Sequence, residues 1–151
     1  MSPAAKVPPR LVILADTREQ TIPPFPAGCV VQRATLGEGD YTTHALRTVA
    51  VIERKSISDF CSTISAGRER FEREIVRLKA YRWRCVVVEG NLSEAFRSTR
   101  MHPHSIVGTV ASFYARSDVP TFFLADPATV GRFVAGVLRR WEQRLVSERA
   151  A

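Results

Sequence analysis

The apolar residues of this chain change their spacing at Ser56. Before it they come in short, β-branched runs of strand length: RLVILAD (10–16), CVVQRATL (29–36) and RTVAVIERK (47–55). After it, Ile57, Phe60, Cys61 and Ile64 fall on one face of a helix. Phe71, Ile75 and Leu78 repeat that spacing beyond Gly67. WRCVVVEG (83–90) then reads as a buried strand, followed by a short helix around 92–97 and a longer one from about His104 to Arg116. VPTFFLA (119–125) reads as a last strand, and a final helix opens on Asp126 as N-cap with Pro127 at N1. The segment GEGDYTTHAL turns into one further strand, so that the first four strands are expected to form a meander. TIPPFPAG, between the first two, can hold neither ladder nor helix because its prolines lack the donors. Strands first, then helix and strand in alternation, imply one three-layer α/β domain with a central mixed β-sheet flanked by helices.

At 151 residues the chain has room for one full core and no second domain of comparable size. No apolar run approaches membrane-spanning length, so no membrane partner is expected. The expected layout is a flexible leader over 1–9 and a single domain over 10–148. Twenty-two Lys and Arg against fifteen Asp and Glu leave a net charge of +7, a surface that attracts polyanions and nucleic acid first among them. Only Lys6, Lys55 and Lys79 are lysines. The arginine-rich remainder suits forked contacts to phosphate and fits equally a GC-rich genome. Cys29, Cys61 and Cys85 are odd in number and far apart, which argues against a disulfide framework and for a reducing, intracellular setting. His102 and His104 have no third ligand at zinc spacing.

The chemistry gathers in TVAVIERKSISDF (48–60), where a buried run ends in charges of both signs. Alternation along a strand puts Glu53 and Lys55 on one face, roughly 6 to 7 Å apart, and Arg54 on the other. Asp40, in the turn before the neighbouring strand, comes beside Glu53 if the two strands pair. Two carboxylates can hold a hard divalent cation, which acidifies water and neutralises charge on a phosphate, and a lysine alongside can orient the water or stabilise developing charge. The same residues also fit a solvated strand end, with Asp59 as N3 of a capping box from Ser56. Arg70, Arg73 and Arg77 line one face of the second helix, where they can track a DNA backbone or form i,i+4 pairs such as Glu69–Arg73 and Arg70–Glu74.

GDY followed by VIERKSISDF resembles the nuclease motif of the XPF-type structure-specific endonuclease family, GDY…ERKxxxD, with Gly39, Asp40, Tyr41, Glu53, Arg54, Lys55 and Asp59 filling its lettered positions. ADTRE is similar to the family's D-x-R-E at Asp16, Arg18 and Glu19. SAGRERFEREIVRL and CVVVEG resemble the segments that follow, so the likeness covers about residues 10 to 90. The resemblance implies a restriction-endonuclease-like fold and Mg²⁺- or Mn²⁺-dependent incision of branched, flapped or junction DNA in repair or recombination. It implies a catalytic set of Asp16, Asp40, Glu53, Arg54, Lys55 and Asp59, with Asp16, Asp40 and Glu53 on the metal. Arg18 and Arg68 join Arg70, Arg73 and Arg77 as expected DNA contacts, and Tyr41 is expected to pack beside the site. Dimerisation through the nuclease domain, with a second copy or a related chain, is the implied assembly. Family members usually continue into tandem helix-hairpin-helix motifs, and none is seen here. The rival reading is a catalytically silent DNA-binding or scaffold subunit, which would have lost acids of the motif. The implied location is cytoplasm or nucleoid for a bacterial or phage protein and nucleus for a eukaryotic one.

Overall fold

The computed structural model describes residues 9–151. All of the expected leader except Pro9 lies outside them. The strands are β1 (Leu11–Asp16), β2 (Cys29–Ala34), β3 (Tyr41–Thr42), β4 (Ala50–Ser56), β5 (Trp83–Glu89) and β6 (Thr121–Leu124). The helices are α1 (Ile57–Ile64), α2 (Arg68–Leu78), α3 (Leu92–Ser98), α4 (Pro103–Ser117) and α5 (Pro127–Ala150). One six-stranded mixed sheet runs in the order β2-β1-β3-β4-β5-β6. On one face α5 covers Ile13, Ile52 and Val87 with Val130, Val134 and Leu138. On the other, Val51, Val86 and Val88 pack against Phe60, Phe71, Ile106 and Phe113 from α1, α2 and α4. These are the three layers expected.

The expected meander is corrected at its first step. β2 lies parallel to β1 at the sheet edge, with Leu11 opposite Cys29, and β1 pairs antiparallel with β3 instead. A parallel pair needs a crossover of about a dozen residues. The proline-rich segment 17–28 supplies one without forming a helix. It crosses over α5, where a Cβ on Gly131 would fall 1.9 Å from the Pro24 carbonyl oxygen. Phe25 in the same segment meets the buried Tyr41 ring edge-on at 5.8 Å.

Helix boundaries follow the caps. Ser56 Oγ accepts from the Asp59 N–H at 3.0 Å and starts α1. Only this half of the expected capping box forms among the described residues. Asn91 and Glu94 make both halves at α3, and Asp126 caps α5 through the Thr129 N–H at 2.8 Å. His102 is the N-cap of α4, its Nδ1 accepting from the His104 N–H at 3.2 Å, which gives the histidine pair a structural role.

Candidate active site at the carboxyl end of the central strands

β1 and β4 run in the same direction with β3 antiparallel between them, so Asp16, Asp40 and Glu53 all arrive at one end of the sheet. Tyr41 pairs with Ile52, and stepping once along each strand sets Asp40 opposite Glu53. Gly39 makes this approach feasible: its φ is +72°, and a Cβ there would lie 2.2 Å from Val51 Cγ2. Asp40 is then held by its own partner strand, its N–H donating to the Ile52 carbonyl at 2.9 Å and its Oδ2 accepting from the Arg54 N–H at 2.7 Å.

A cavity of about 280 Å³ opens over this pair, lined by Glu19, Asp40, Glu53, Lys55, Asp59 and Arg70 among others. Burial pushes the Asp40 carboxyl up to about 7; the Arg54 N–H works against this, and the Glu19 charge adds to it. Glu53 is raised well above the ordinary glutamate range, first by burial and then by the charges of Asp40 and Glu74. Glu53 is buried and Asp40 half-buried, and a cation would offset the cost of their charged forms.

Lys55 reaches back to Glu53 Oε1 at 3.5 Å and across to Glu74 Oε2 at 3.3 Å, and its ammonium lies 5.0 Å from the centre of the Phe71 ring. Arg54 projects from the opposite face, as alternation required. It is only 10% exposed, bonded to Glu89 at the end of β5 and 3.6 Å from Glu19 Oε1. Asp59 stands at the cavity mouth on the first turn of α1.

Asp16 does not join this group. It is fully buried, with Oδ1 accepting from the Arg18 N–H and Nε at 2.9 and 2.6 Å and Oδ2 from the Leu36 N–H at 2.8 Å. Burial alone would raise its pKa, but these bonds outweigh it and hold the carboxyl below its ordinary value. With both oxygens engaged and the side chain outside the cavity lining, Asp16 secures the turn that carries Arg18 and Glu19. Glu19, expected only as part of the same motif, is the carboxylate of that turn that lines the cavity. Among the described residues no three acids, histidines or cysteines come close enough to form a complete cage.

Of the expected DNA contacts, Arg18 and Arg70 reach the cavity, and Arg68, Arg70 and Arg73 line a shallow depression beside it. Arg68 is paired with Glu72 at 3.2 Å and Arg77 with Glu38 at 2.8 Å. The expected pairs Glu69–Arg73 and Arg70–Glu74 do not form, leaving Arg70 and Arg73 without an acid partner among the described residues.

Sequence reasoning gave no site role to three acids, Glu19, Glu74 and Glu89, although Glu19 stands in the D-x-R-E likeness. Glu19 lies past a strand end, where no period sets a direction. Glu74 carried a usable signal, since it sits three residues after Phe71 and four before Leu78, both fully buried, and so at the margin of the buried helix face.

The ERCC4 domain family model matches residues 15–137. The chain belongs to the ERCC4 domain family. This is an XPF-type nuclease family, and the domain has the restriction-endonuclease-like fold. Among solved structures, XPF from Aeropyrum pernix superimposes with a TM-score of 0.72 at 24% identity, over 85% of this chain and 60% of that one. A complex of XPF from Aeropyrum pernix with DNA matches at 0.72 and 25% identity, over 89% of this chain and 66% of that one. The ERCC4 chain described here therefore spans a little under two thirds of the chains it matches. No curated protein matches it.

Proposed function

We propose that residues 10–148 form a single nuclease domain that hydrolyses phosphodiester bonds in branched, flapped or junction DNA within the cell, using Mg²⁺ or Mn²⁺. The observation that carries this reading is the β3–β4 register, which sets the half-buried Asp40 opposite the buried Glu53 with Lys55 on the same face. The pair fits a hard divalent cation. It offers oxygen donors alone, and burial, reinforced by neighbouring acids, holds both carboxyls above their ordinary ranges. When bound, the cation supplies Lewis acidity toward water and the scissile phosphate.

The protein's own residues do the rest. Asp40 and Glu53 would hold the cation, and Glu19, beside Arg54, adds a further carboxylate to the cavity lining. Lys55 orients the attacking water or stabilises the charge that develops on the phosphate. Asp59 keeps its cavity position by virtue of the α1 cap. Arg18 and Arg70 at the cavity, with Arg68 and Arg73 beside it, contact the DNA backbone. Dimerisation through the domain belongs to the same proposal. It is supported by Phe122 on the edge strand β6, which is 39% exposed while its ring lies 4.9 Å from Phe133 of α5.

The test incubates labelled duplex, flap, fork and four-way-junction DNA with the protein and Mg²⁺, Mn²⁺ or EDTA, beside Asp40→Ala and Lys55→Ala. Metal-dependent cutting of branched substrates that both variants lose is expected. Cutting in EDTA, or variants as active as the parent, would overturn the mechanism. Binding without cutting in either metal would favour the silent-subunit reading.

A further inference from the structure

Lys55 is held from three sides, and one of its partners, Glu74, reaches it from a different element while also bonding Glu53. The Lys55 side chain is 12% exposed, and its ammonium has Glu53 Oε1 at 3.5 Å, Glu74 Oε2 at 3.3 Å and the Phe71 ring centre at 5.0 Å. A lysine carries its charge on a flexible four-carbon stem, so one geometry survives only where packing and a counter-charge hold it. Glu53 is already committed to the cation, and Phe71 supplies an apolar wall without a directed bond. Glu74 is 19% exposed at the margin of the buried face of α2 and makes no ion pair with Arg70, its i−4 neighbour.

We propose that Glu74 is a positioning residue for Lys55, anchoring the ammonium over the cavity from α2. For its effect on rate this rests on the nuclease reading; for the anchoring itself it does not. It also joins α2, whose Arg70 and Arg73 face solvent beside the cavity, to the reacting centre, because the helix that carries those arginines sets the lysine's position.

Two readouts test the proposal. With only three lysines in the chain, the ε-methylene signals can be assigned by NMR, and that of Lys55 should be displaced by the Phe71 ring. Glu74→Ala should move it toward the value of a free lysine, with Glu74→Gln, which keeps an acceptor, between the two. On the nuclease itself, Glu74→Ala should slow single-turnover cleavage about 10- to 100-fold at saturating DNA with Kd for DNA unchanged. It should have no further effect in a Lys55→Ala background, because the two residues act as a unit. An unmoved Lys55 signal, or an equal slowing in the Lys55→Ala background, overturns the proposal. A parent that cuts no DNA while its Lys55 signal responds to Glu74→Ala upholds the anchoring and sinks the nuclease reading alone.

Discussion

At the residue scale, Asp40 and Asp16 show two fates of a carboxylate withdrawn from solvent, the first half-buried and the second fully. Asp40 sits among other acids, and its pKa is raised to about 7. An acid whose pKa rises on folding favours the fold below its ordinary pKa, and that contribution is lost as pH rises through the folded value. Without metal, Asp40→Asn should therefore match the parent near pH 4 and exceed it by on the order of 1 kcal/mol at pH 8, as read by urea melts. Mn²⁺ should raise the Tm of the parent at pH 8 and leave that of Asp40→Asn nearly unchanged. Asp16 is the opposite case, its charge satisfied by three protein donors. Asp16→Ala should cost about 2–4 kcal/mol by orphaning the buried Leu36 N–H and freeing the Arg18 turn. Mn²⁺ should still bind the folded variant; loss of Mn²⁺ binding with stability intact would return Asp16 to the metal.

At the element scale, the crossover between β1 and β2 does the work that a helix performs in most parallel pairs. It depends on a bare backbone in α5, where Gly131 admits the Pro24 carbonyl. Gly131→Ala places a methyl group in that contact, and either the loop or α5 must shift. Unfolding experiments should show a loss of about 1–3 kcal/mol, although Ala is otherwise the better helix former. An unchanged Tm would show that the crossover yields freely. Tyr41 belongs to the same layer, its ring packed on Phe25 of the crossover and its backbone pairing with Ile52. The segment that closes the edge of the sheet thus also braces the residue next to Asp40.

At the scale of the whole molecule, a net charge of +7 becomes useful through its placement. Arg68 and Arg77 are paired within the protein, whereas Arg70 and Arg73 are not, so these four arginines should differ as DNA contacts. Arg70→Ala and Arg73→Ala should each weaken binding to any DNA sequence and flatten the dependence of log K on log salt by about 1. Arg77→Ala should do neither, and equal effects at all the sites would mean that only overall charge matters. On the far side of the sheet, Phe122→Glu should shift any self-association toward monomer in sedimentation runs while leaving the fold intact.

The kinds of element and their order were readable from the chain alone. So was the sharing of a face by Glu53 and Lys55, because strand and helix periods are set by backbone geometry within a few residues. The Ser56 and Asp126 caps were equally local. Which strand pairs with which is decided by competition among distant segments for the same hydrogen bonds, and here a proline-rich crossover that packs on α5 turned an expected meander into a parallel edge. The same holds for the acids. Asp16 and Glu19 stand three residues apart in one motif, and only the surrounding donors determine that the first is consumed by the Arg18 turn while the second reaches the cavity. Glu74 and Lys55 are nineteen positions apart, and their contact exists because α2 folds back over the end of β4.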